Sequence, residues 1–66
     1  MRFEQVMKDL GYVVKLSNGD YNPIAVEADR LLNERYPQGV TAMGPALVGG
    51  CVGAAWLDAR QQLARK

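Results

Sequence analysis

The chain has no histidine and only one cysteine, Cys51. Without histidine it lacks the side chain most often used as a general base, and with a single thiol it lacks the ligands of a zinc site. One cysteine cannot close an internal disulfide, and an unpaired thiol fits a reducing, cytoplasmic compartment. Charge is missing from a long stretch as well. Charged residues make up 23% of the sequence, yet none falls between Tyr36 and Leu57. There is no G-K-[ST] and no G-x-G-x-x-G after a strand, so the glycines do not form a phosphate cradle. Net charge is only +1, with the signs interspersed, which argues against the clustered basic face of a nucleic-acid binder. The N-terminus carries Glu4 and Asp9 and no apolar run, and does not read as a signal peptide.

Sixty-six residues make one domain, 1–66, and 48% of them are hydrophobic, enough for a folded core. A chain of this length buries only ~60% of its unfolded surface and is marginally stable unless something staples it. With metal and disulfide excluded, close packing or self-association is left.

The spacing predicts an α-rich (α+β) fold. Phe3, Val6, Met7 and Leu10 repeat at i, i+3, i+4, i+7, giving a helix over 2–10, with Gly11 placed as its C-terminal glycine. Tyr12 to Leu16 is β-branched and aromatic, and Asn18-Gly19 follows, which predicts a short strand or hairpin over 12–22. Pro23 limits the returning strand to a stub. Asn22-Pro23 is an N-cap followed by an N1 proline, opening a helix over 23–35 that stops before Pro37. Its apolar stripe runs through Ile24, Ala25, Ala28, Leu31 and Leu32, with Glu27, Arg30 and Glu34 opposite. Gly44-Pro45 opens a glycine-rich helix over 45–64, in which Val48, Val52, Trp56, Ala59 and Leu63 keep helical spacing. Its three glycines, at 49, 50 and 53, each weaken it by ~1 kcal/mol relative to alanine.

The uncharged window has to be buried in the core, in a partner surface or in lipid. Gly49 and Gly53 form a G-x-x-x-G step, and Ala46, Gly50 and Ala54 repeat at four-residue spacing, so two helix backbones could approach closely. Gly49, Val52, Gly53 and Trp56 are therefore the candidate self-association residues, weighed against simple packing on helix 23–35. The lipid alternative uses 40–57, which matches the lower length limit of a span but is diluted by glycine, Thr41 and Pro45. Cys51 has no base beside it in sequence and reads as a small buried hydrophobe. For contact with a partner, Tyr12 and Tyr21 flank the Asn18-Gly19 turn and Arg30 lies on the adjacent helix, an aromatic and arginine combination suited to interfaces.

The expected function is accordingly non-enzymatic. It is that of a small cytoplasmic protein-binding module or inhibitor, of the size seen in phage- or plasmid-encoded inhibitors, acting as a homodimer on another protein's surface. No cofactor or metal is expected. A membrane-associated protein inserting 40–57 and a small nucleic-acid-binding regulator are the alternatives.

Overall fold

The computed structural model describes residues 1–39, 44 and 46–65. Among these residues the chain forms three helices, α1 (Glu4–Asp9), α2 (Pro23–Arg35) and α3 (Val48–Ala64), and no strand. Each helix answers to one expected from the sequence, with two starting later.

The first is shorter than 2–10. Phe3 stands at its N-cap without a side-chain cap, so nothing extends the first turn. Its C-terminus closes tightly: Tyr12 N–H donates to Met7 O and Gly11 N–H to Lys8 O, both at 3.0 Å, with Gly11 at φ +93°. This is the Schellman arrangement, and it requires the left-handed conformation that glycine adopts without strain.

The strand expected at 12–16 does not form. A single antiparallel bridge joins Lys15 to Tyr21, flanked by Leu16 N–H to Asp20 O and Asn22 N–H to Val14 O at 2.8 Å. Of Asn18 and Gly19, only Gly19 has positive φ, and Gly19 N–H bonds Leu16 O. The turn is therefore a three-residue loop rather than a two-residue one. The ladder stops there because Asn22 is committed to α2. Its side chain accepts from Ile24 N–H at 3.1 Å as the N-cap and donates to Val13 O at 2.9 Å. One residue thus ends the hairpin stub and starts the helix.

The third helix starts at Val48 rather than 45; Pro45 lies outside the described residues. Leu47 at its N-cap offers no side-chain acceptor, and its N–H bonds Gly44 O in a preceding turn.

Cross-links between α2 and α3 run in opposite order along the two helices, so they are antiparallel. Arg30 reaches Gln62 at 3.4 Å, Arg35 pairs with Asp58 at 2.6 Å, and Cys51 donates to the Tyr36 hydroxyl at 3.0 Å. The core contains Ala25, Ala28, Leu31 and Leu32 from α2 with Val52, Ala55 and Ala59 from α3. Small residues on both helices suit a close approach of their axes. Phe3, Met7 and Val14, all buried, close the core from the N-terminal side. Asp29 anchors that closure: buried in α2, it accepts the Phe3 N–H at 2.7 Å and an Asn33 side-chain N–H at 3.0 Å.

Candidate interaction surface

Burial on one side of α3 leaves the opposite side bare. Leu47 is 65% and Leu57 55% exposed, and Ala46 before them and Gly50 and Ala54 between them are also exposed. Residues 50, 54 and 57 follow one face of the helix. That outer face carries no charge because it falls within the uncharged window.

The candidate self-association residues share one side of α3 but differ in burial. Val52 is fully buried in the chain's own core. Trp56 is half-buried and stacks on Tyr12, ring centroids 4.6 Å apart at 34°. Gly53 lies against the same tyrosine: a Cβ there would sit 3.4 Å from its hydroxyl oxygen. Gly49 and Gly50 are different. A Cβ at either would meet nothing within 4 Å. The described chain itself supplies no packing reason for glycine at these two helical positions.

The candidate partner contacts are each engaged within the chain. Tyr12 packs against Trp56 and the core. Tyr21 is exposed, donates its hydroxyl to Glu4 at 2.9 Å and has the Lys15 ammonium 5.1 Å from its ring centre. Arg30 is held at 2.6 Å by both Glu27 and Glu34. The hydrogen bond to Glu27 chiefly, then its charge and that of Glu34, keeps the guanidinium even more firmly protonated than usual. This is a satisfied helix-surface network. Among the described residues no hydrogen bond, ion pair or ring contact joins Tyr12, Tyr21 and Arg30.

A different cluster stands beside Trp56. An open hollow of about 580 Å³ is lined by Ile24, Leu57, Arg60, Gln61, Leu63 and Ala64. A second, of about 390 Å³, shares Ile24 and Arg60 with it and adds Tyr12, Val13 and Trp56. The two make one apolar groove along the flank of α3, and Val13 at its edge is 59% exposed. Among the described residues that line it, Arg60 is the only charged one. Arg60 has no hydrogen-bond or ion-pair partner among the described residues. Arg60 is not among the contact residues expected from the sequence. The signal that could have found it is the i, i+4 spacing of Trp56 and Arg60, which puts an aromatic and a guanidinium on one face.

The pKa shifts of the polar contacts are local. Hydrogen bonds from Lys8 and then Tyr21 hold the Glu4 carboxyl below its ordinary value. The bond to Glu4 raises Tyr21, and that with Cys51 raises Tyr36, burial adding to each. None of these pairs a nucleophile with a base in a cleft. Among the described residues no group of acidic, cysteine or histidine side chains could hold a metal ion, and no helix is long and apolar enough to cross a membrane. Of the proposed 40–57 segment, 40–43 and 45 lie outside the described residues.

No family model, curated protein or solved structure matches this chain.

Proposed function

We propose that this chain is a non-enzymatic protein-binding module that pairs with a second copy of itself through the outer face of α3 and works by covering a surface on another protein. The observation that carries the reading is the helical glycine at 50. It is exposed, costs helix stability and faces open space within the chain, yet it lies on one face with Leu57 and one turn from Leu47. A residue without a side chain flanked by exposed leucines is suited to receive another backbone or a leucine from a neighbour. Self-pairing would also compensate for the small core of a chain this size. The further features of the expected role, inhibition and a cytoplasmic setting, follow from size and the lone thiol rather than from the fold.

Sedimentation velocity across a range of concentrations tests the pairing. The wild-type chain is expected to sediment as a dimer at micromolar concentration. Ala54→Glu, which places a charge in the middle of an exposed face, is expected to sediment as a monomer with an unchanged circular dichroism spectrum. A monomeric wild-type chain, or an equally dimeric Ala54→Glu variant, overturns the proposal.

A further inference from the structure

The groove on the Trp56–Arg60 flank borders the Gly50–Ala54 face, with Leu57 common to both, and its charge pattern specifies more than apolar contact. We infer that it docks an apolar peptide segment of a partner protein that carries an aspartate or glutamate side chain, with the carboxylate received by Arg60. This rests on the reading of the chain as a binding module and names the chemistry of its partner.

The argument is one of charge complementarity. Among the described residues Arg60 is the groove's only charged side chain, and it has no hydrogen-bond or ion-pair partner there. The other described bases with internal partners include Lys8, Arg30 and Arg35, each on a carboxylate. A guanidinium beside Ile24, Leu57 and Trp56 offers two parallel N–H donors to a carboxylate at the edge of an apolar contact, where water is partly excluded and such a bond is strong. Tyr12 and Trp56 supply the rigid aromatic area that interfaces use as anchors.

The same observations set aside the other occupants. Every carboxylate side chain of this chain is already engaged: Glu4 by Lys8, Asp9 by Gln5, Asp20 by the Asn18 side-chain N–H, Asp29 by Phe3, Glu27 and Glu34 by Arg30, and Asp58 by Arg35. A second copy would have to share one of these engaged carboxylates with Arg60, whereas a partner segment brings its own. A free chain terminus is captured by clustered backbone N–H groups, whereas those at 56–64 are inside α3 and bonded along the helix. A small ligand would leave much of its surface in water in so open a hollow. A nucleic-acid backbone calls for several cations, and the described residues of the groove include one.

The test is selection of a random dodecapeptide display library on the immobilised full chain. Tryptophan-free synthetic copies of the enriched peptides are then titrated against the protein while the emission of Trp56, its only tryptophan, is followed. Enriched sequences are expected to combine Asp or Glu with Leu, Ile or Phe and to shift Trp56 emission. Arg60→Gln is expected to weaken them roughly 10- to 100-fold, the loss of one charged hydrogen-bonded pair. Arg60→Glu is expected to abolish their binding; circular dichroism confirms that both variants are folded. The inference is overturned if no peptide is enriched, if the enriched peptides lack an acid, or if they bind Arg60→Glu as well as wild type. Titration of the Ala54→Glu variant separates the two proposals: retained peptide binding in a monomer supports both, and retained binding in an unchanged dimer supports the groove while refuting pairing through the outer face.

Discussion

Replacing Gly50 with alanine should move stability and association in opposite directions. The backbone at 50 is helical, and an added Cβ meets nothing within 4 Å. Alanine is better than glycine in a helix by ~0.5–1 kcal/mol, because glycine loses more backbone freedom on folding. A domain of this length has a total stability of roughly 3–10 kcal/mol. The substitution should therefore be visible, raising the melting temperature by about 2–8 °C at ~4–8 °C per kcal/mol. It has to be measured at a dilution where the chain is monomeric, since a dimer adds concentration-dependent stability of its own. Urea titration followed by circular dichroism gives the same quantity as a shift in midpoint at constant slope.

In sedimentation the same methyl group should have the reverse effect. It stands where the second copy's backbone or leucine is proposed to sit, and it weakens the dimer. Gly49→Ala is the internal control. Position 49 is also exposed with open space around it, but it lies one residue, or about 100°, round the helix from 50. It should stabilise the monomer by a similar amount and disturb pairing less. Gly53 is unsuitable for this comparison, because a larger side chain there presses on Tyr12. If Gly50→Ala stabilises the monomer and leaves the concentration dependence of sedimentation unchanged, the glycine is not at an interface and the reasoning fails.

Substitutions at Asp29, Tyr21 and Tyr36 test the internal fold. Asp29→Ala strands the buried Phe3 N–H and should cost ~1–3 kcal/mol in urea denaturation, whereas Asp29→Asn, which keeps an acceptor, should cost less; equal losses would show that the carboxylate does not anchor the N-terminus. The Glu4–Tyr21 bond should hold between two pH limits. Glu4 is depressed, so its contribution is present above the ordinary carboxyl value of 4.5 and is lost as pH falls through the folded one. Tyr21 is raised, so its contribution is present below the ordinary 10.0 and is lost as pH rises through the folded value. Phenolate absorbance should show delayed titration in the folded state that Tyr21→Phe reduces, and Tyr36→Phe likewise for the bond with Cys51; variants that titrate as wild type would refute the assignment.

Helix α2 was legible in the sequence because several local signals agree there. Asn22 caps it, Pro23 fixes its first dihedral, and its apolar and charged stripes are cleanly separated. The segment 12–22 was less legible because two local preferences compete for Asn22. A β-rich run asks it to extend a ladder, and a helix asks it to be an N-cap; the cap leaves room for one bridge only. The internal partners of the expected contact residues were illegible for a different reason. Tyr12, Tyr21 and Arg30 were grouped by sequence proximity to one turn, but Arg30 has two carboxylates within its own helix, and Tyr12 finds Trp56 across the chain.

The uncharged window shows how far pattern alone can go. Absence of charge requires burial somewhere, but a helix presents residues in every direction, and composition does not say which of them the chain covers itself. Within α3 the fold buries Val52, Ala55 and Ala59 and leaves Gly50, Ala54 and Leu57 outside. The inner residues have their explanation in α2. The outer ones have none within the described chain, and an exposed leucine beside small residues gains ~1.5–3 kcal/mol when fully covered. One leucine from each of two copies, and a second at 47, bring that gain to the size of the whole stability of so short a chain. A neighbour on this face would therefore matter to the folding of the protein as much as to its recognition of others.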